Sequence, residues 1–232
     1  MPGRYSPGRS RRFKAWYIQQ RRRKRAESGI VPGDFSPGDW NSDDFFVGSG
    51  TPTPPVEYMT RLNGVNSVIQ MPNILVLAGT PITLEFFAPA SLQAQTRLLM
   101  DSPSGSSLTR CYIEQNADGT VGFSTTAYSE MRLDGNVINA RVASFPADES
   151  FHTFVGTLSR DTEIGWLGSL FNGTGFLVNF PITRLTVGDG SVWDFKLNEP
   201  WSADTPRIAY NSGSGADAEY INTVESDVEV RP

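Results

Sequence analysis

Cysteine and histidine are almost missing: Cys111 and His152 are the sole representatives. A lone cysteine excludes a disulfide framework within the chain. One thiol and one imidazole cannot complete a zinc site, which takes three or four nitrogen or sulfur ligands, unless carboxylates supply the rest. Calcium takes oxygen ligands and stays open, but no feature calls for it, and no cofactor is expected. Long apolar runs are also lacking. None approaches the roughly 20 residues that span a bilayer, so no membrane partner is expected. The basic N-terminal stretch is not followed by an apolar segment, so it does not read as a signal peptide. The expectation is a protein assembled in the cytoplasm.

Acidic residues are absent from one place in particular. The first 25 residues hold ten of the chain's 20 lysines and arginines and no acid, whereas the rest holds ten bases against 25 acids, a net of −15. An arm and a body of opposite sign point to an arm that docks on an anionic partner, either nucleic acid or a neighbouring subunit. Pro2, Gly3, Pro7 and Gly8 keep the start extended. Ser10 then offers an N-cap for a short helix in which Phe13, Trp16 and Tyr17 share one face. Arg11, Arg12, Arg21, Arg22, Arg23, Lys24 and Arg25 surround that face. So short a helix is marginal alone, so residues 1–28 read as an anchoring arm that orders on docking. Such an arm inserts its aromatic face into a groove and uses arginine for paired contacts. Arg21 to Arg25 also fits a nuclear-localisation run.

Residues 29–57 read as a linker. Pro32-Gly33-Asp34-Phe35 is echoed by Pro37-Gly38-Asp39-Trp40, and Gly48 to Pro55 reads as stiff and extended. Phe35, Trp40, Phe45 and Phe46 have no local core, which suggests packing on the body or on a partner.

Residues 58–232 read as strands separated by turn signals about every ten residues, the pattern of a sandwich or barrel. A body of roughly 170–180 residues can bury a core without disulfides. Strands are expected at 58–62, 65–71, 81–88, 96–100, 109–114, 121–125, 152–158, 175–180, 183–187 and 191–197. Turns are expected at Asn63-Gly64, Asn116 to Gly119, Asp134 to Asn136 and Gly188 to Gly190. Alternation puts Ile82, Leu84 and Phe86 inward, and likewise Trp193, Phe195 and Leu197.

The order of several segments resembles a known family, the phage virion proteins with a laminin-G-like or concanavalin A-like jelly roll. The segments are Leu62 to Ile69, Gly79 to Phe86, Ile182 to Val187, Val192 to Glu199, and the closing stretch Ile208 to Asn222. The resemblance covers roughly residues 58–230. It implies an all-β, antiparallel jelly-roll β-sandwich whose last strand lies beside its first. Asn172 stands where that family often has an acid in a hairpin. The resemblance also implies a virion subunit of tail fibre, baseplate or head, homo-oligomeric, with other virion proteins as partners.

Catalytic patterns are weak. Glu225-Ser226-Asp227-Val228-Glu229 resembles the Glu-x-Asp-x-Glu strand of lichenase-type glycosidases. If it were one strand, its carboxylates would share a face about 7 Å apart, whereas a retaining pair needs about 5–5.5 Å. An acidic, solvated chain end is the favoured reading. His152 has no nucleophile motif around it, and a satisfied strand position is favoured. Cys111 reads as a small core residue. A host-surface glycan site is a better candidate than catalysis. Asp161, Trp166, Asn172 and Trp201 fall in expected turns, although the tryptophans suit subunit contacts equally. The expected function is therefore a non-enzymatic virion component. A genome-enclosing jelly-roll capsid protein with a nucleic-acid-binding arm is the alternative, and a glycan-cleaving enzyme is the remote one.

Overall fold

The computed structural model describes residues 56–106, 110–204 and 206–232, which fall within one unit, Pro55–Pro232. The arm residues Arg11, Arg12, Phe13, Trp16, Tyr17, Arg21, Arg22, Arg23, Lys24 and Arg25 lie outside the described residues, as do the linker aromatics. In chain order the strands are β1 (Tyr58–Thr60), β2 (Val68–Val76), β3 (Pro81–Phe87), β4 (Arg97–Asp101), β5 (Ile113–Gln115), β6 (Val121–Phe123) and β7 (Tyr128–Leu133). They continue as β8 (Asn136–Val137), β9 (Phe151–Leu158), β10 (Thr162–Leu167), β11 (Ile182–Val187), β12 (Trp193–Phe195), β13 (Arg207–Ala209), β14 (Ala218–Ile221) and β15 (Val228–Val230). One 3₁₀ turn, Glu225–Asp227, precedes β15.

Two large antiparallel sheets form a β-sandwich. One has seven strands in the order β13-β14-β2-β10-β4-β5-β6, and the other six in the order β12-β11-β3-β9-β7-β8. β1 and β15 pair separately, Tyr58 opposite Val230, so the first and last strands lie side by side. Among the described residues no helix is long and apolar enough to cross a membrane.

Alternation builds the inner faces. Ile82, Leu84 and Phe86 of β3 are fully buried, and Phe154 and Leu158 of β9 and Leu185 of β11 join them from neighbouring strands. Ile69, Met71, Ile74 and Leu167 face them from the seven-stranded sheet. Phe195 and Leu197 are buried, and the partly buried Trp193 packs on the same core. Phe87 breaks the apolar–polar rhythm of β3, yet it is covered: its ring meets Phe151 edge-on at 5.0 Å, and Arg231 lies 4.1 Å over the Phe151 ring.

One expected turn is found, and two strand expectations are corrected. The Asn63-Gly64 turn is present, with the Asn63 side chain accepting from the backbone N–H groups of Val65, Asn66 and Ser67, but the strands it joins belong to different sheets. The β2 strand runs past Met71 to Val76. Its inward residues switch from odd to even positions (Ile69 and Met71, then Ile74 and Val76). Pro72 and Asn73 (φ 54°) form the irregularity that shifts the parity. Proline is tolerated there because a bulge needs no ladder donor. Residues 175–180 are not a strand. Positive φ at Gly173, Gly175 and Phe176 curls the chain, and Val178 and Phe180 enter the core from a loop.

Candidate functional site

The connection from β12 to β13 carries the chain from the edge of the six-stranded sheet to the edge of the seven-stranded one. Leu197, at φ 50°, turns the backbone away from β12 while its side chain stays in the core. Pro200 and Pro206 then offer no N–H to a ladder. An isolated bridge between Phe195 and Asn211 ties the two sheet edges together at the base of the loop. What results is a groove of about 420 Å³, lined by Lys196, Glu199, Trp201, Asp204, Arg207 and Tyr210 among others.

Arg207 is 3% exposed. It pairs with Tyr220 across β13 and β14, so its guanidinium carbon lies over that ring, 3.8 Å from the centroid. The Trp201 ring, which lines the groove, is a looser 5.9 Å away. Nη2 donates to Thr60 Oγ1 on β1. Nε and Nη1 have no acceptor. A buried unpaired donor costs roughly 1–3 kcal/mol, and more when charged. The groove acids do not relieve it. Glu199 accepts from the Tyr210 backbone N–H at 2.8 Å and from the Tyr220 hydroxyl at 2.8 Å. Asp204 accepts from Ser202 at 2.6 Å. Burial, followed by the charge of Glu199, raises Tyr220 well above its ordinary pKa, so the phenol stays protonated as a donor. Tyr210 is 60% exposed at the rim.

The four glycan candidates separate. Trp201 is in the groove. Trp166 lies on β10 rather than in a turn, opposite Gln70 of β2. This register puts it on the outer face of the seven-stranded sheet, whereas Arg207 and Tyr220 are buried on the inner one. The turn containing Asn172 closes over Trp166: a Cβ on Gly173 would stand 2.9 Å from the indole. The Asn172 side chain accepts from the Thr174 N–H. Asp161 accepts from the Ala78 N–H at 2.9 Å and ties two loops together. The sequence reading missed Arg207, Tyr210 and Glu199. No local pattern in the sequence marks any of the three.

The acidic chain end is not one strand face. Glu225 and Asp227 sit in the 3₁₀ turn, Asp227 accepts from the Val224 N–H, and Glu229 on β15 pairs with Arg61 at 2.7 Å. The strand geometry of a Glu-x-Asp-x-Glu motif is therefore absent at these residues.

His152 occupies a satisfied strand position. Nδ1 meets Asp134 at 2.7 Å and Nε2 meets Asp148 at 2.9 Å. Burial depresses its pKa, but the two carboxylate contacts outweigh that, and the net direction is upward. Cys111 is buried, with its thiol directed at the Glu163 carbonyl at 3.3 Å. Burial pushes that thiol up to about 12, so it is inert as a nucleophile.

Comparison of the chain with protein-family models, with curated proteins and with solved structures finds no match.

Proposed function

We propose that the chain is a non-enzymatic structural and binding protein of a virion. Its β-sandwich presents a saccharide-binding groove at the β12–β13 connection, and residues 1–28 dock it onto a neighbouring subunit. The groove carries this reading. It combines an aromatic face (Trp201), a second aromatic at the rim (Tyr210) and convergent polar groups in one concavity, which is the composition of a sugar-binding cleft. The separation of a cationic arm from an acidic body supports docking. The order of segments that resembles jelly-roll virion proteins supports the setting, with host-surface glycan as the ligand and homo-oligomers as the assembled form.

Two measurements test the parts separately. Binding of the full chain to an array of host-surface glycans is expected to be lost in Trp201→Ala and kept in Trp166→Ala. Loss in the second variant alone moves the site to the outer sheet face. Deleting residues 1–28 is expected to abolish incorporation into particles without changing the unfolding midpoint of the body. Unchanged incorporation removes the docking role. A genome-enclosing capsid protein shares the cationic arm, and it is favoured if the chain expressed alone forms closed shells that protect nucleic acid.

A further inference from the structure

We propose that the groove takes a carboxylate-bearing sugar, with Arg207 as the group that recognises the acid. This deepens the saccharide reading and rests on it. A groove-lining guanidinium buried to 3% exposure has two donors, Nε and Nη1, with no acceptor. Buried donors in native proteins are almost always paired, and here the pairing is left for a ligand. Its third nitrogen, Nη2, is held by Thr60, and Tyr220 is stacked on one face at 3.8 Å. The cation is therefore fixed in position. Trp201 is its looser aromatic neighbour, at 5.9 Å, and lines the groove beside it. A shift of the indole that opens the edge of the guanidinium, where its N–H groups point, admits an acceptor in the plane and leaves the ring to stack on the sugar.

The ligand's charge and shape follow from the neighbours. A planar carboxylate matches the planar guanidinium donors. Glu199 and Asp204 also line the groove, and their charges disfavour a dianion such as a phosphate monoester more than a single carboxylate. Both acids already hold partners, Glu199 on Tyr210 and Tyr220 and Asp204 on Ser202. They do not compete for Arg207. Tyr210, exposed at the rim, supplies a second surface for the next ring of an oligosaccharide.

Calorimetric titration of the full chain with a short oligogalacturonate and with its carboxyl-reduced neutral counterpart tests this. The acid form is expected to bind about ten-fold or more tighter. Arg207→Lys, which keeps the charge but loses the planar fork, is expected to bring that ratio toward one. The ligand pair needs no mutation, so the comparison stands even if Arg207→Lys fails to fold. Equal affinities for the two forms overturn the carboxylate assignment and leave the saccharide reading intact. Absence of binding by either form, and by the glycan array, overturns both.

Discussion

Asp101, opposite Trp166 in the seven-stranded sheet, shows how a buried charge is tolerated here. Its side chain has no exposure, and Arg110 reaches it through both Nε and Nη2, the latter at 2.8 Å. The Ser102 N–H donates to the same carboxylate, and Tyr112 supports the guanidinium from 4.9 Å. Asp101→Ala leaves that arginine without its acceptor. Breaking a buried pair costs about 3–5 kcal/mol. Arg110 is 29% exposed, so water recovers part of its solvation and a loss near ~3 kcal/mol is expected. Urea unfolding measures it, and a loss below ~1 kcal/mol means the pair behaves as a surface bridge. His152 gives a pH signature of known sign. Its folded pKa lies above the ordinary 6.5 because Asp134 and Asp148 outweigh burial. The charged imidazole therefore stabilises the fold fully below about 6.5, and that contribution fades as pH rises through the higher folded value. The unfolding midpoint is expected to fall between slightly acid and slightly alkaline pH. This component should vanish in His152→Gln. An identical pH slope in both proteins rules out the assignment.

Among the elements, β10 is the one least legible in the sequence, and its glycine explains why. Thr162-Glu163-Ile164-Gly165-Trp166-Leu167 shows no clean alternation, because the register with β2 slips between Ile164 and Trp166. Trp166 consequently reads as a turn residue although it lies mid-strand. Gly165 is required by space: an added Cβ would stand 2.4 Å from Cα of Pro103, a backbone atom that cannot step aside. Gly135 differs. It sits at φ +80° in the β7–β8 hairpin with nothing within 4 Å of the Cβ position. Gly135→Ala is expected to cost about 1 kcal/mol in backbone strain. Gly165→Ala should cost roughly 3 kcal/mol or more, because the backbone at Pro103 must move. Chemical denaturation of both variants orders them, and the reverse order contradicts the bulge geometry. The regular strands were readable in advance. β3 and β9 alternate cleanly, β11 does so from Thr183 onward, and the three pair in one sheet, as with Leu84 between Phe154 and Leu185. Periodicity captures a strand with one buried face, but it fails where a bulge flips the parity or where apolar residues such as Val178 and Phe180 reach the core from a loop. The groove was legible only through Trp201. Arg207 opens a strand of three residues, and its burial depends on pairing with Tyr220, a contact between residues 13 apart that no local pattern announces.

At the scale of the whole molecule, the groove exists because two sheets end at the same place. The β12 strand is the edge of one and β13 the edge of the other, and the loop that crosses between them must leave both ladders. Loops held by a rigid two-sheet scaffold are where binding residues concentrate. Here β1, β13 and β14 fix Arg207 while Trp201 rides on the loop. The most direct test of the groove is an ¹H–¹⁵N spectrum of the full chain, titrated with a saccharide that it binds. The account predicts that the Trp201 indole N–H and the backbone signals of Tyr210 move first and saturate together, while the Trp166 indole stays in place. Movement of the Trp166 indole and the Asn172 turn, with Trp201 unmoved, contradicts it.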